Sequence, residues 1–353
     1  MMARVVVGLS GGVDSSAAAW LLKQRGYEVI GMTARVCIDR DAVWEKEEIE
    51  AAARLADHLG IRHMITDCRE TFDRAVAEPF VTEYLAGRTP NPCIVCNREI
   101  KWKALLQCAD EIGAEHVATG HYARIRRLPG GRFAAACSAT VKKDQSYVLY
   151  RLTQEALSRT LLPVGDYEKP EIRRIAEQAG LPAAHTPDSQ DICFVSGNDY
   201  AAFLNKRVPE RMPGEGDYLS AADGRVLGRH RGYVHYTIGQ RKGLGVAAGH
   251  PLYVSAIRPE RNEVFLSDED VYGDALDCHD LNFMGIADDE LPVGASRPAV
   301  GKVRYAHTGT PCVITRTGRD TLHAAFSEPV RAITPGQAAV FYEDGAILCG
   351  GTI

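Results

Sequence analysis

The chain has 353 residues, of which 45% are hydrophobic and 25% are charged, and its formal net charge is −5. This length gives room for two or three domains, and the composition is that of an ordinary globular protein, so we expect no long disordered tract. A negative net charge excludes a surface that is basic overall, so any RNA partner must be held by local basic patches.

The apolar residues and the cysteines indicate the compartment. No apolar run reaches bilayer length, and no basic-then-apolar signal segment opens the sequence. The ten cysteines are mostly single and unevenly spaced, which argues against a secreted disulfide scaffold. We therefore expect a cytoplasmic protein with no membrane partner.

The first informative stretch is VVVGLSGGVDSS, residues 5–16. A β-branched run leads into two glycines, and residues 17–23 then have the composition of a helix. Strand, tight turn and helix N-terminus together form a phosphate-binding device, because the glycines let backbone N–H groups approach an anion. Ser10, Ser15 and Ser16 add hydroxyl donors. Asp14 would repel phosphate unless a divalent cation lay between them, so its presence predicts Mg²⁺.

This stretch differs from two common nucleotide motifs. A Walker A loop requires a lysine after the glycines, and this stretch has none there. The stretch also does not follow the G-x-G-x-x-G dinucleotide pattern. A serine–glycine turn without a ligand is the alternative that the residues alone leave open.

Up to about residue 120 the pattern alternates between strand and helix. We predict strands at residues 29–33, 61–66 and 115–120, and helices at residues 45–59, 72–85 and 101–112. Such alternation predicts a parallel sheet covered by helices on both faces, with ligands beyond the carboxyl ends of its strands. The opening loop, the residues after Ile30 and residues 120–122 should therefore meet at one rim.

A second unusual stretch, RTPNPCIVCNREIK, spans residues 88–101. Its two prolines exclude a helix through the first half, and Cys93 and Cys96 then begin the helix that follows. The spacing places both sulfurs on one side of a turn, where a helix N-terminus is expected to lower the pKa of a thiol. A redox pair, two metal ligands, a catalytic nucleophile with its partner and two buried apolar cysteines all remain open.

The middle of the chain is less specific. Residues 124–131 resemble a polar hairpin, and KKDQSY at residues 142–147 suits either a phosphate-and-base contact or a solvated charged turn. Residues 170–180 predict a capped amphipathic helix. Cys193 stands alone after a polar loop, and its neighbours by themselves favour a buried core cysteine over a catalyst.

Beyond about residue 205 helices become rare. The loop HYTIGQRKGLG at residues 235–245 is basic, glycine-rich and aromatic, which suits contact with a sugar–phosphate backbone. From about residue 271 to residue 353, short strands separated by turn signals predict a small β-barrel.

These segments together resemble the tRNA-specific 2-thiouridylase (MnmA) family of the ATP pyrophosphatase (PP-loop) superfamily. The resemblance covers essentially the whole chain and rests on SGGVDSS, GRTPNPCIVCN, ATGHYAR, KDQSYVLY, DSQDICF, HYTIGQRKGLG and ITPGQAAVFY in the family's order. It implies an α/β fold class, with an N-terminal parallel-sheet PP-loop domain of the adenine nucleotide α-hydrolase kind at residues 1–204. A small mixed β domain that binds tRNA would follow at residues 205–270, and a C-terminal β-barrel domain at residues 271–353.

The resemblance also implies an ATP-dependent tRNA sulfurtransferase. Uridine O2 of the wobble base attacks the α-phosphate of ATP, and pyrophosphate leaves onto the opening loop with Mg²⁺. A sulfur nucleophile then displaces AMP to give 2-thiouridine. The expected substrates are tRNAs with anticodons of the Lys, Glu and Gln type, and a cysteine desulfurase, a relay protein or inorganic sulfide would supply the sulfur.

By matching motif, the resemblance assigns roles to individual residues. Cys96 is the catalytic nucleophile and Cys193 carries the persulfide. The residues that face the target base are Asn91, Pro92 and Cys93. The residues assigned to ATP are Gly8, Leu9, Ser10, Gly11, Gly12, Val13, Asp14, Ser15, Ala34 and Gly120. The residues assigned to further tRNA contacts are His121, Lys143, Asp144, Gln145, Arg304, Tyr305 and Gln337.

One position departs from the family's pattern. Many members carry Asp where this chain has Cys93, so Cys93, Cys96 and Cys193 form a set of three thiols. Related tRNA thiolases use three cysteines to hold a [4Fe-4S] cluster whose fourth iron binds sulfide, and such a cluster is one expectation here. A persulfide relay from Cys193 to Cys96, with Cys93 dispensable, is the other. Zinc would suit three thiolates but would not deliver sulfur.

Two other functions stay open on the sequence. A PP-loop amidating ligase for a small molecule would need an ammonia source, and the sequence offers neither an N-terminal nucleophilic cysteine nor an evident glutaminase domain. An RNA-binding iron–sulfur sensor would leave the opening loop without a purpose. The cysteines expected to be structural are Cys37, Cys68, Cys108, Cys137, Cys278, Cys312 and Cys349.

Overall fold

The computed structural model describes residues 2–36, 42–186, 192–195, 197 and 199–353. Residues 188–191 of the DSQDICF motif and Cys37 lie outside the described residues. Within the described ranges, no helix is both long enough and apolar enough to cross a membrane.

The N-terminal part of the chain alternates strands and helices. Its strands are β1 (Arg4–Gly8), β2 (Glu28–Arg35), β3 (Arg62–Asp67), β4 (His116–Ala118), β5 (Arg124–Arg127), β6 (Phe133–Ala136) and β7 (Thr160–Leu161). Its helices are α1 (Val13–Gln24), α2 (Ala42–Leu59), α3 (Arg69–Phe72), α4 (Glu78–Leu85), α5 (Pro92–Cys96), α6 (Lys103–Ile112), α7 (Gln154–Arg159), α8 (Lys169–Gln178) and α9 (Tyr200–Arg207). Two π-helical segments, Asp73–Ala77 and Asn97–Trp102, join α3 to α4 and α5 to α6.

A five-stranded parallel sheet in the order β3-β2-β1-β4-β7 forms the centre of this part. Strand β1 lies in the middle, and its Val5, Val6 and Val7 are fully buried because helices cover both faces of the sheet. The predicted strands and helices up to residue 120 are confirmed, with shifts of a few residues at their ends.

A second, smaller sheet follows along the chain. Its strands are β8 (Gly216–Ser220), β9 (Val226–His230), β10 (Tyr253–Arg258) and β11 (Glu263–Ser267). They pair in the order β10-β11-β8-β9, with β8 and β11 parallel and the other pairs antiparallel. Tyr218 and Val254 are fully buried in a core of its own. The expected small mixed β unit is therefore present.

The last strands close into a barrel. They are β12 (Tyr272–Phe283), β13 (Ser296–Lys302), β14 (Thr310–Gly318), β15 (Thr321–Arg331), β16 (Ala338–Glu343) and β17 (Ala346–Thr352). They pair in the order β12-β15-β14-β13-β16-β17, and β17 pairs back with β12. Closure gives every one of these strands a partner on both sides. The predicted C-terminal β-barrel is confirmed.

The hairpin formed by β5 and β6 joins the barrel to the parallel-sheet part. Strand β6 pairs with β17 at Ala136 and Ala346, so the hairpin extends the sheet of the barrel. Across the same junction, Lys302 Nζ lies 2.9 Å from Asp144 Oδ2, and the two side chains are only 12% and 5% exposed. Backbone pairing and a buried ion pair therefore fix the barrel against the parallel-sheet part.

Candidate functional site

The opening loop lies at the carboxyl end of β1, as predicted, and leads into α1. Gly11 has a φ of 71°, a conformation that residues with a side chain rarely adopt, and a Cβ there would lie 2.9 Å from the Cβ of Ala51. The hydroxyl oxygens of Ser10 and Ser15 are 3.2 Å apart, and the Ser15 hydroxyl donates to the Gly12 carbonyl at 3.1 Å. The loop is a tight turn whose hydroxyl groups already bond across it.

The end of β4 packs directly against this loop. A Cβ on Gly120 would lie 2.6 Å from backbone atoms in the first turn of α1, so only glycine fits. Two residues later, the Tyr122 hydroxyl donates a hydrogen bond of 2.7 Å to Asp14 Oδ1. Thr33, near the end of β2, donates to the Leu9 carbonyl at 2.9 Å. The three rim segments predicted from the alternating pattern therefore meet.

Asp14 also pairs with a cation from a distant helix. The Lys169 ammonium, at the first residue of α8, lies 2.7 Å and 2.8 Å from the two carboxylate oxygens of Asp14 and 5.7 Å from the ring centre of Tyr122. The motifs do not reveal this lysine, because its only sequence signal is its place at the start of a predicted helix. An anion that enters the loop would therefore meet backbone N–H groups and a lysine beside the carboxylate of Asp14.

From Pro92 onward, the second unusual stretch forms part of one long helix. The Asn91 side chain caps it by accepting a hydrogen bond of 3.2 Å from the Cys93 N–H. Helix α5 runs into the π-helical segment Asn97–Trp102 and continues as α6. The buried indole of Trp102 donates to the Thr160 hydroxyl at 2.7 Å, which ties the π-helical segment to β7. The prediction that the cysteine pair begins a helix is confirmed.

The π-helical segment brings Lys101 to the side of the helix that carries Cys96. In an uninterrupted α-helix, residues five apart point about 140° away from each other. A π-helix bonds each residue to the fifth one along and so brings such residues onto one side. Lys101 interacts electrostatically with Cys96, Cys193 and Cys93, in that order of strength. One cation therefore lies among three thiols.

The three thiols differ in exposure. Cys96 is only 5% exposed, whereas Cys93 and Cys193 are open to solvent, so Cys193 is not the core cysteine that its neighbours favour. Burial raises the pKa of Cys96 to about 12, although Lys101 opposes the rise. Cys93 is exposed to solvent, yet the protein atoms packed around it raise its pKa as well. The expectation of lowered thiol pKa values is therefore wrong, because loss of solvent outweighs the helix N-terminus.

Residues 120–122 connect the loop with the thiols. Tyr122 contacts Asp14, while the neighbouring His121 lies near Lys101. The His121 Nδ1 is 2.8 Å from the Thr119 hydroxyl. Burial, followed by the charge of Lys101, lowers the pKa of His121 to about 3, so the imidazole is neutral at physiological pH.

The barrel forms a wall beside the cysteine helix, the continuous helix from α5 to α6 that carries Cys93 and Cys96. Tyr305, on the loop after β13, is 41% exposed and interacts electrostatically with Cys93. Gln337, just before β16, donates to the Thr89 carbonyl at 2.7 Å, and the Thr89 N–H donates to the Pro335 carbonyl at 2.9 Å. The barrel thereby holds the segment that leads into the cysteines.

Other residues expected to contact tRNA have partners inside the protein. Asp144 is 8% exposed and pairs with Lys302. Gln145 accepts a hydrogen bond of 2.8 Å from the Tyr122 N–H, and Arg304 donates to a backbone carbonyl at 3.0 Å. These contacts give the three residues a structural role, and their contact with tRNA stays a prediction.

Comparison with known proteins identifies the family. Three family models match consecutive parts of the chain: a tRNA methyl transferase HUP domain at residues 3–197, a tRNA methyl transferase PRC-barrel domain at residues 201–268, and an aminomethyltransferase beta-barrel domain at residues 274–353. A tRNA-specific 2-thiouridylase MnmA of Lachnoclostridium phytofermentans is 47% identical, over 100% of this chain and 99% of its own length. The chain belongs to the tRNA-specific 2-thiouridylase MnmA family.

Two further MnmA relatives match as completely. The protein of Clostridioides difficile is 45% identical over 100% of this chain and 98% of its own length. The protein of Carboxydothermus hydrogenoformans is 46% identical over 99% of this chain and 97% of its own length. The family resemblance predicted from the seven motifs and the α/β fold class are both confirmed.

The MnmA-family loop fits ATP with Mg²⁺. Mg²⁺ is commonly bound through one or two carboxylates together with substrate phosphates, and Asp14 supplies one carboxylate at the mouth of the loop. Backbone N–H groups at the start of α1 would face the phosphates.

The structure gives no support to a metal centre on the three thiols of this MnmA-family chain, as far as its described residues extend. Thiolates are suitable ligands for a [4Fe-4S] cluster. Among the residues that the structure describes, however, no group of three or more His, Cys, Asp or Glu side chains is arranged to hold a metal ion. The cluster therefore stays a prediction, and no chemical step is assigned to it.

The close packing at Gly120 gives an expectation for ATP binding. In a Gly120→Ala variant the added Cβ would push α1 away from β4 and open the loop, so the Kd for ATP should rise at least about tenfold. Calorimetric titration measures this. Gly130→Ala is the control, because a Cβ there meets nothing within 4 Å, and its Kd should stay within about twofold of wild type. An unchanged Kd in Gly120→Ala would contradict the packing.

The environment of His121 predicts how the protonation of its ring depends on pH. Because its pKa is lowered to about 3, the ring should remain neutral through the whole range from about pH 5 to about pH 8. Proton and carbon chemical shifts of ¹³C-labelled histidine rings, assigned with a His121→Gln variant, should show no midpoint for this residue in that range. A midpoint near the unperturbed value of about 6.5 would show that the ring is solvated instead.

Proposed function

We propose that the chain is an ATP-dependent tRNA sulfurtransferase that converts the wobble uridine of tRNA to 2-thiouridine. One observation carries the proposal: residues 120–122 contact the phosphate-binding loop through Tyr122 and approach the cysteine helix through His121. A base held at this segment would have an activating loop on one side and thiols on the other. The relatives' name, tRNA-specific 2-thiouridylase, supports tRNA as the substrate.

The opening loop carries out the step that activates the uridine oxygen. ATP lies with its phosphates at the start of α1, where the helix N-terminus favours negative charge. Uridine O2 attacks the α-phosphate, the bond from this phosphorus to the bridging oxygen breaks, and pyrophosphate leaves. Lys169, which pairs with Asp14, stabilises the charge on the leaving pyrophosphate. Mg²⁺ held by Asp14 and phosphate oxygens would neutralise the same charge.

Cys193 and Cys96 carry out the sulfur transfer. The terminal sulfur of a persulfide on Cys193 attacks C2 and displaces AMP. The Cys96 thiolate then attacks the Cys193 Sγ, so that a disulfide forms between the two cysteines and the transferred sulfur stays on C2 as the thiocarbonyl. This sulfur is reduced while the two cysteine sulfurs are oxidised, so atoms and electrons balance. The ammonium of Lys101 favours the anionic sulfur species.

A [4Fe-4S] cluster on Cys93, Cys96 and Cys193 is the competing route to the same product. The relay is preferred because the described side chains form no metal-binding group. The relay needs no iron, whereas the cluster route requires about four irons per chain.

The proposed RNA surface combines Tyr305 of the barrel with two basic side chains. Tyr305 is exposed beside Cys93 and suits stacking on an unpaired base. Lys143 and Arg304 lie next in sequence to Asp144 and Tyr305 and suit phosphate contacts, which would make binding sensitive to salt. The proposed substrates are tRNAs with Lys, Glu and Gln type anticodons, and the sulfur donor is a cysteine desulfurase or a relay protein in the cytoplasm.

The test is a reaction of iron-free protein with ATP, Mg²⁺, unmodified tRNA of the Lys type, and a cysteine desulfurase with cysteine. Mass spectrometry of the digested tRNA should show 2-thiouridine, with AMP and pyrophosphate in equal amounts. An Asp14→Asn variant serves as the control for the loop and should release no pyrophosphate above background. Pyrophosphate release that needs ammonia but no tRNA would overturn the proposal in favour of an amidating ligase.

A further inference from the structure

The relay leaves the protein in a state that needs resetting. After each transfer, Cys96 and Cys193 are joined by a disulfide, and both thiols are needed again for the next one. Cys96 is only 5% exposed, so an external reductant can reach this disulfide only at Cys193. Attack there would leave the carrier cysteine bonded to the reductant and closed to a new persulfide.

Cys93 is placed to receive this disulfide from within the protein. It precedes Cys96 by three residues on α5, and residues three apart on a helix have Cα atoms about 5 Å from each other. This separation falls inside the range of about 4.4–6.8 Å that disulfides require. Cys93 also interacts electrostatically with Cys193, and its side chain is open to solvent.

We propose that Cys93 is the resolving thiol of the relay, which moves the disulfide from the Cys96–Cys193 pair to the Cys93–Cys96 pair. This inference rests on the proposed function. The Cys93 thiolate attacks the Cys96 Sγ, the Cys93–Cys96 bond forms, the Cys96–Cys193 bond breaks, and Cys193 leaves as a thiolate. The proton lost by Cys93 passes to Cys193. No oxidant is consumed, because one disulfide replaces another.

The exchange frees the carrier and exposes the oxidised pair. Cys193 is then ready to accept a new persulfide. The Cys93–Cys96 disulfide remains accessible to a reductant at the exposed sulfur of Cys93. An external dithiol then supplies the two electrons that reduce it. Lys101 interacts with all three sulfurs and so favours the thiolate that attacks as well as the one that leaves. Cys93, at the position where many family members carry Asp, thereby has a chemical role.

Cys68 is the matched control for this role. It is half-buried at the N-cap of α3, directly after β3, and interacts electrostatically with Cys96, so it is a fourth thiol near the site. It lies on a different element from α5, without the spacing that a disulfide on one helical turn provides. A Cys68→Ser variant therefore removes a nearby thiol without removing the proposed exchange.

The experiment compares wild type, Cys93→Ser and Cys68→Ser after persulfide loading. Each protein receives tRNA, ATP and Mg²⁺ without reductant, is quenched in acid, alkylated and mapped by mass spectrometry of unreduced peptides. Wild type and Cys68→Ser should end with a Cys93–Cys96 link, and Cys93→Ser with a Cys96–Cys193 link. In Cys93→Ser the steady-state rate with a dithiol should fall at least about tenfold below the rate of its own first turnover, whereas in wild type and Cys68→Ser the two rates should agree within about threefold.

Each other outcome counts against the inference. A Cys96–Cys193 link as the end state of wild type, or equal steady-state rates in wild type and Cys93→Ser, would overturn it. Loss of the first turnover in Cys93→Ser would also overturn it, because Cys93 would then act before the disulfide forms. Wild-type protein that makes 2-thiouridine in any of these cases still supports the proposed function, whereas wild type that makes none would remove both.

Discussion

Replacing Cys96 with serine should lower 2-thiouridine formation by at least about 10³-fold. A serine hydroxyl at this position can neither attack the sulfur of Cys193 nor form the disulfide that releases the transferred sulfur. In the proposed mechanism the activating step uses Asp14, Lys169 and the opening loop instead. The first round of tRNA-dependent pyrophosphate release should therefore stay within about threefold of wild type, which rapid-quench kinetics with labelled ATP would measure.

Cys108→Ser is the control for this variant. Cys108 is buried on α6 of the same long helix, but its sulfur lies 3.6 Å from that of Met64 rather than among the three thiols. Its thiolation rate should stay within about threefold of wild type. The division of labour between loop and thiols would be contradicted if Cys96→Ser still made 2-thiouridine, or if it lost pyrophosphate release to the same degree.

Replacing Lys302 with methionine should destabilise the protein by about 3–5 kcal/mol. The variant leaves the carboxylate of Asp144 buried without its cation, at the junction between the barrel and the parallel-sheet part. The Ser146 hydroxyl still donates to Asp144 at 2.9 Å, but a neutral donor does not replace the charge. Urea-induced unfolding followed by circular dichroism measures the loss.

Two further variants separate the ion pair from a general effect of losing a lysine. Lys142→Met changes an exposed lysine near Asp144 and should alter stability by less than about 0.5 kcal/mol. The double variant Asp144→Asn with Lys302→Met removes both charges and should recover part of the stability lost in Lys302→Met. A loss in Lys302→Met no larger than in Lys142→Met would show that the junction does not depend on this pair.

The sequence predicts the sheet well because its signal is local. Buried valines in β1, glycines at the turn and helical periodicity each act within a few residues, so alternation alone places the loop, β2 and residues 120–122 at one rim. The cysteine pair is equally local, and the structure confirms that it begins a helix. The barrel follows from turn signals at short spacing, although its closure through the pairing of β12 with β17 does not.

Contacts between distant residues could not be predicted. Lys169 and Asp14 are separated by 155 residues, and Asp144 and Lys302 by 158, so no sequence pattern links either pair. The predicted direction of the thiol pKa shift was wrong for a related reason. A helix N-terminus is visible in the sequence, but the burial of Cys96 that outweighs it depends on the packing of other elements.

In the proposed mechanism, the loop activates the uridine oxygen that sulfur later replaces. The most direct test uses tRNA whose uridines carry ¹⁸O at O2, reacted with unlabelled ATP and a persulfide donor. If O2 attacks the α-phosphate, the AMP that leaves contains this ¹⁸O in an amount equal to the 2-thiouridine formed. AMP without ¹⁸O, alongside normal 2-thiouridine formation, would show that ATP is cleaved by another nucleophile and would contradict the account.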